Sequence, residues 1–365
     1  MRLLKRLINT FLENDIIFII FFALVFFGVA FQYSAAKSME PWALSHAVKA
    51  CLFLPILVFM QFIKPNTLIR YSYLIYIINI LLLIVVNVFG FTGMGAQRWI
   101  NLGIIKLQPS EMMKISIILM LAKYYNDISP EYLPKLYTHF VPLIGIAIPC
   151  FLIAIQPDLG TAVIVGLIGL FCIFISGINL RYVLLSAIGV VSSFPYVWSK
   201  LYDYQKKRIL TFLNPESDPL GSGYHVIQSK IAIGSSGMYG KGFFNGTQSR
   251  LNFLPEKHTD FIFATLSEET GFVGSIFIIA LFAMLIYYIV KISLSSNNSF
   301  YTIVGLNIAF LFFVHVFVNI GMVIGLLPVV GVPLPLISYG GSSLLTFSIL
   351  IGIVIGISMN NKKSN

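Results

Sequence analysis

The chain has 365 residues, of which 58% are hydrophobic and only 10% charged. So few charges cannot cover a soluble surface of this size, and the long unbroken apolar runs exclude the period-2 alternation of an outer-membrane barrel. The net charge of +10 then concerns span flanks, lipid head groups and phosphates, and no nucleic-acid partner is expected.

A helix crosses a bilayer with roughly 17–25 apolar residues. On that measure ten spans are expected, near Ile16–Ala36, Ser45–Ile63, Arg70–Phe91, Pro109–Tyr125, Thr138–Ile155, Leu159–Ile178, Tyr182–Ser199, Phe261–Val290, Tyr301–Leu327 and Ser338–Ser358. The fold class is therefore all-α and polytopic. The first run is too long for a signal-peptide core and is expected to be retained. Cys51, Cys150 and Cys172 fall in apolar runs, with neither disulfide nor metal spacing, and read as small buried hydrophobes. One long polar segment, about residues 200–260, separates spans seven and eight. It is too short for an enzyme domain of its own, so residues 1–365 are read as a single membrane domain with this segment as its extracytoplasmic loop.

Lys and Arg set orientation through short loops. An inside N-terminus places Arg2, Lys5, Arg6, Lys64, Arg70, Lys123, Lys135, Arg181, Lys291, Lys362 and Lys363 in the cytoplasm. Both termini are then cytoplasmic and the long loop faces outward. Every even-numbered span starts at the outer face, and polar motifs stand at four of those starts. They are QPSEMMK (Gln108–Lys114), QPDLGTA (Gln156–Ala162), HTDFIF (His258–Phe263) and SYGGSS (Ser338–Ser343). Helix N-termini carry free N–H groups and partial positive charge, so their convergence would favour an anionic ligand. Within the outer segment, Tyr224–Ile233 has the apolar spacing of a helix lying on the membrane surface. Gly234–Gly242 reads as flexible, and Lys241–Arg250 as a mobile cover.

Asp260 is the sharpest candidate. A carboxylate at a membrane boundary is partly desolvated, which raises its pKa toward that of a general base; the competing reading is a residue favoured at a helix start by the dipole. Glu111 and Lys114 are neighbours on one helix face. They either hold a ligand phosphate or form an internal ion pair. Arg98 beside Trp99 suits bidentate phosphate contact, or anchors the interface. Asp158 follows Pro157 at a helix start, where capping is the simpler role. Lys257 belongs to a basic outer segment, part of which could neutralise a pyrophosphate. Ser338, Gly340 and Gly341 either present backbone N–H groups to an anion or allow close helix packing. His46, His139, His225 and His315 are scattered and carry no signal, and no P-loop, dinucleotide glycine motif or serine elbow is present.

Together LNFLPEKHTDFIF (Leu251–Phe263), QPSEMMK, QPDLGTA and LLPVVGVPLPLISYGGSS (Leu326–Ser343) resemble the SEDS family (shape, elongation, division and sporulation) across essentially all ten spans. NGTQSRLNFLPE (Asn245–Glu256) is closer to the RodA-like rod-shape branch than to the FtsW-like division branch. GSSG at Gly234–Gly237 and SEETG at Ser267–Gly271 depart from the GSGG and EELG wording of the family, away from the key positions. The resemblance implies a peptidoglycan glycosyltransferase of the bacterial inner membrane that polymerises lipid II onto a growing glycan strand. It implies that Asp260 is the essential catalytic carboxylate and that Arg98, Glu111, Lys114 and Asp158 are further functional positions. It also implies a class B penicillin-binding protein transpeptidase as partner, within a larger elongation complex. A divalent cation, Mg²⁺ or Mn²⁺, is the candidate cofactor, and no organic cofactor is expected. Two other readings stand beside it. A lipid II flippase would spread polar residues through the bilayer depth, whereas here the charged motifs crowd at one face. A non-catalytic scaffold for a transpeptidase would not need Asp260, Glu111 and Lys114 to ionise.

Overall fold

The structure, a computed structural model, describes residues 15–93, 96–101, 106–200, 203–218, 221–251, 253–254 and 256–364. The orienting residues Arg2, Lys5 and Arg6 lie outside them. In chain order come α1 (Asp15–Ala36), α2 (Trp42–Met60), α3 (Pro65–Phe89), β1 (Phe91–Gly93), β2 (Ala96–Asn101), β3 (Lys106–Leu107), α4 (Pro109–Asn126), α5 (Phe140–Ile155), α6 (Leu159–Ile175) and α7 (Leu180–Lys200). The outer segment holds α8 (Asp203–Leu213), α9 (Ser222–Gly234) and α10 (Thr247–Arg250), followed by α11 (Ile262–Leu294), α12 (Ser299–Val323) and α13 (Gly341–Ser364).

Each of the ten expected spans is a helix. Seven are long and apolar enough to cross a membrane by length and composition, and α6 is a shorter apolar helix. Large apolar side chains divide between two surroundings. Phe53, Phe282, Phe312 and Phe347 are buried between helices, while Phe59, Phe89 and Phe151 are 67%, 81% and 67% exposed. An outer surface of bare phenylalanines is tolerable only against hydrocarbon. Between helices, lipid offers no hydrophobic drive, so close packing must hold them. Gly160 shows this: a Cβ there would meet the Val330 carbonyl oxygen at 2.4 Å, so the start of α6 abuts the chain after α12 only as glycine. The cysteines are free. Cys172 is buried as expected, but Cys51 is exposed on the apolar surface.

Three features were not expected from the sequence. The first is an antiparallel ribbon, β1-β2-β3, between α3 and α4. The second is that one face of α9 packs on the helix bundle. Val226 and Ala232 are buried, and the Ser229 hydroxyl donates to the Val323 carbonyl (2.7 Å), so the helix docks against α12. The third is that residues 237–250 are not a loose cover. The Phe272 N–H donates to the Gly237 carbonyl, and the Lys241 and Gly242 N–H groups donate to the Glu268 and Glu269 carbonyls, each at 3.0 Å. This is possible because α11 is interrupted at Gly271, whose φ of 69° is a left-handed conformation that glycine adopts at little cost.

The fully buried Glu268 carboxylate completes the attachment. It accepts from Lys241 Nζ (2.8 Å), Thr247 Oγ1 (3.0 Å) and the backbone N–H groups of Gln248 (2.9 Å) and Ser249 (3.3 Å). It thereby ties α10 and the preceding loop to α11. Replacing it leaves the Lys241 ammonium unpaired and orphans buried N–H donors, each such donor costing about 1–3 kcal/mol. Glu268→Ala is therefore expected to raise amide exchange across residues 237–250 by at least tenfold while α12 and α13 stay protected. Exchange unchanged in that segment would show that the carboxylate does not hold it.

Candidate active site

Four helix starts meet at one end of the bundle through side chains of the motifs themselves. Gln108, just before α4, donates from Nε2 to Asp158 Oδ2 (3.0 Å) at the start of α6. Its backbone N–H donates to Ser342 Oγ (3.0 Å) in the first turn of α13. Ser338 Oγ donates to the Thr259 carbonyl (2.6 Å), and the Tyr339 N–H donates to the His258 carbonyl (2.9 Å), joining the start of α13 to that of α11. The convergence that would gather helix N-termini in one place is therefore present.

Asp260 lies in a tight turn ahead of α11, in which the Thr259 and Phe261 N–H groups both donate to the Glu256 carbonyl. Asn319 of α12 fixes it from below: its side-chain N–H groups donate to the Asp260 carbonyl (2.9 Å) and the Val332 carbonyl (2.7 Å). Among the described residues nothing donates to the Asp260 carboxylate. Burial pushes its pKa up to about 7, the negative charges of Glu256 and then Asp158 add to the rise, and Arg208 opposes it. A carboxylate with no fixed donor and a pKa near neutrality can accept a proton from a substrate hydroxyl.

The other candidates divide by what already holds them. Asp158 caps α6 through the Thr161 N–H (3.4 Å), the simpler role weighed for it, and also meets Arg98 Nη1 at 3.8 Å. Arg98, carried in by β2, donates from Nε to the Gln156 carbonyl (2.9 Å) and from Nη2 to the Pro157 carbonyl. Its guanidinium therefore braces the start of α6. Glu111 and Lys114 form a 2.6 Å ion pair, with 4% and 1% exposure, and Lys114 Nζ also donates to His315 Nε2 (3.1 Å). His315 Nδ1 faces the Pro333 carbonyl (3.2 Å), so the cluster links α4, α12 and the chain that follows α12. Such an enclosed ammonium cannot touch a phosphate without the cluster opening. Lys257 donates to the Ser249 carbonyl (2.7 Å), and burial, then the Lys37 charge, holds its pKa below the ordinary value. Gly340 accepts the N–H of Leu344 as α13 begins, and Gly341 lies against the Lys49 side chain: a Cβ there would stand 3.4 Å from Lys49 Cδ.

Sequence reasoning missed several residues. Asn319 and His315 stand four apart in the apolar second half of α12, and that spacing of polar groups was the available signal. Trp42 stacks on the His258 ring (5.0 Å between centroids, 14° between planes) and meets Tyr339 edge-on (4.8 Å). Burial, then the Lys257 charge, lowers the His258 pKa to about 4, so the ring is neutral at pH 7. Lys49 is a lone cation inside an expected span. Among the described residues no three His, Cys, Asp or Glu side chains group to hold a metal ion. The donor set therefore does not build a protein site for the expected divalent cation.

The model of the cell cycle protein family FtsW/RodA/SpoVE matches residues 14–363. The chain is 48% identical over 311 residues to peptidoglycan glycosyltransferase MrdB of Escherichia coli K12, covering 85% of this chain and 83% of that one. It is 40% identical over 358 residues to peptidoglycan glycosyltransferase MrdB of Helicobacter pylori, covering 97% and 91%. Among solved structures it resembles a chain of a peptidoglycan synthase complex that coordinates polymerization and crosslinking, with TM-score 0.82, 31% identity and coverage of 94% and 97%. It also resembles the rod shape determining protein RodA of Thermus thermophilus, with TM-score 0.71, 25% identity and coverage of 94% and 96%.

The raised pKa of Asp260 has a consequence for stability. Between the ordinary carboxyl value of 3.8 and about 7, the folded protein keeps a proton that the unfolded chain has lost. Stability therefore falls as pH rises through this window, and the full cost remains above it. Asp260→Asn is expected to raise the melting temperature in detergent at about pH 8 and to change it little at about pH 4. An equal gain at both pH values would show that the carboxyl is not held protonated.

Proposed function

The chain belongs to the FtsW/RodA/SpoVE family of cell cycle proteins, and from that premise we propose that it is a peptidoglycan glycosyltransferase polymerising lipid II into β-1,4-linked glycan strands during cell elongation. The observation that carries this reading is Asp260, unpartnered among the described residues and poised near neutrality where four helix starts meet. The names of the Escherichia coli and Helicobacter pylori relatives support the reaction class.

In this reading the 4-hydroxyl of an acceptor N-acetylglucosamine gives its proton to the Asp260 carboxylate. Its oxygen forms the new bond to C1 of the donor N-acetylmuramic acid. The bond from C1 to the diphosphate oxygen breaks, and its electron pair leaves on the lipid diphosphate, inverting C1. A base with a pKa near the working pH is half ionised and still basic enough to act, the balance that general-base catalysis favours. Arg98 and Gln108 hold Asp158, so the field at Asp260 is set by a fixed charge. The polyprenyl tail has a candidate berth in an apolar groove of about 500 Å³ between α2, α3, α4 and α13, lined by residues such as Met60, Leu68, Tyr71, Met112 and Ile353. Mg²⁺ or Mn²⁺, if used, would come with the substrate diphosphate, and no step above depends on it.

In this reading the protein sits in the cytoplasmic membrane with both termini inside and Asp260 facing outward. Lys123 and Lys291 support this orientation, because they occupy the last turns of α4 and α11, helices whose starts lie at the site. The likeness to a chain of a complex that coordinates polymerization and crosslinking supports a class B penicillin-binding protein transpeptidase as partner within an elongation complex.

The test is reconstitution of the purified protein with lipid II, with and without that partner, followed by separation of the glycan products. Wild type is expected to make strands, and Asp260→Asn to lose at least about 10²-fold in rate while keeping its fold. Normal strand synthesis by Asp260→Asn would refute the role given to Asp260. No product from wild type, even with the partner, would favour a flippase or scaffold.

A further inference from the structure

Lys49 is a charge that the ion pairs of the site leave over. It lies about two turns into α2, facing the first turn of α13. Three other cations near this end have fixed partners. Arg98 has Asp158 and two carbonyls, Lys114 has Glu111 and His315, and Lys241 has Glu268. Lys49 has the Tyr339 hydroxyl (2.8 Å) and the face of the Tyr339 ring (4.2 Å). Among the described residues no carboxylate lies within ion-pair distance of it.

Lys106 reaches the same place from β3. Its carbonyl accepts from Ser342 Oγ (2.8 Å), and its ammonium rests over the Phe91 ring (4.9 Å), again with no carboxylate among the described residues. Burial would raise the pKa of the Tyr339 hydroxyl, but hydrogen bonds from Lys49 and Ser45 and the charges of Lys49 and Lys106 carry it below the ordinary value. Among the described residues no carboxylate pairs with either ammonium. Beside Tyr339, His258 Nδ1 is unpaired in a side chain only 8% exposed. A cation inside a spanning helix is costly when unpaired, and such a residue marks a ligand path by default.

We propose that Lys49 and Lys106, which flank the first turn of α13, bind the diphosphate of a polyprenyl diphosphate donor. The assignment rests on the glycosyltransferase reading above and names the group that receives the leaving charge. Tyr339 and Ser338 are bonded directly to the His258–Thr259 backbone, so these cations stand next to the turn that carries Asp260. When the C1–oxygen bond breaks, the electron pair stays on the diphosphate and is met by two ammonium groups, while the acceptor proton goes to Asp260. Two separated cations match the two phosphates of a diphosphate better than a monophosphate head group.

The experiment measures binding of geranylgeranyl diphosphate to the purified full chain in detergent, with inorganic diphosphate and phosphatidylglycerol micelles as competitors. Lys49→Gln and Lys106→Gln are each expected to weaken binding roughly tenfold, the scale of one charge-assisted contact, and Lys49→Arg to recover most of it. Inorganic diphosphate should compete, and phosphatidylglycerol at equal concentration should not. Wild-type affinity in both Gln variants would overturn the assignment. So would equal competition by phosphatidylglycerol, which would make Lys49 a lysine reaching for head groups. If Lys49→Gln fails to fold, Lys106→Gln and Tyr339→Phe carry the same comparison. Failure of the wild-type protein to make strands from lipid II, even with the partner, would sink the glycosyltransferase reading without touching the binding result.

Discussion

Residues 328–340, between α12 and α13, leave the helix inside a bundle that offers little water, and the site depends on how their backbone is satisfied. Irregular backbone at that depth is tolerated only when its polar groups find protein partners. Here the partners come from three helices. Gln32 of α1 donates to the Ile337 carbonyl (2.8 Å), His46 of α2 meets the Leu336 carbonyl (3.0 Å), and His315 and Asn319 of α12 meet the Pro333 and Val332 carbonyls (3.2 and 2.7 Å). Ser338 closes the stretch on itself by accepting the Leu334 N–H (2.8 Å). The same Asn319 and Ser338 also hold the Asp260 turn. One set of polar side chains thus stabilises the irregular stretch and fixes the position of the catalytic candidate.

The charges around this stretch serve different ends. The Glu111–Lys114–His315 cluster is enclosed, so removing one member would strand a charge in a low-dielectric interior. Asp158 is held by Gln108, by the Thr161 N–H and by Arg98, and its fixed negative charge helps to raise the Asp260 pKa. Asp260 and Lys49 differ from these. Neither has an oppositely charged partner among the described residues, and both lie beside the Ser338–Gly341 turn. A base and a cation left open in one place are what proton removal and anion departure require.

The outer segment contributes position rather than motion. Glu268 caps α10 and pairs with Lys241, so the chain from Gly237 to Arg250 rests on α11. Lys257 then reaches back to the Ser249 carbonyl, which restrains the chain entering the Asp260 turn. An ordered segment of this kind gives a partner a defined surface at the site's edge.

Sequence alone determined the spans, because hydrocarbon imposes a length and composition on every helix that crosses it. It also determined the four polar helix starts, because polar groups at such depth are rare enough to stand out. Asp260, Asp158, Arg98, Ser338 and the glycines were legible for that reason, and motif wording linked them to one family. The tertiary structure decided which of those charges remain available. Lys114 and Arg98 looked like phosphate ligands as residue types, but pairing with Glu111, His315 and Asp158 occupies them, and pairing depends on neighbours distant in sequence. Glycines from 234 to 242 looked flexible, but a broken helical turn at Gly271 gives their backbone partners. Lys49 and Asn319 looked incidental because each is one of a few polar residues in an apolar run. Their significance lies in what they face across the bundle, and the order of residues along one chain does not encode that contact locally.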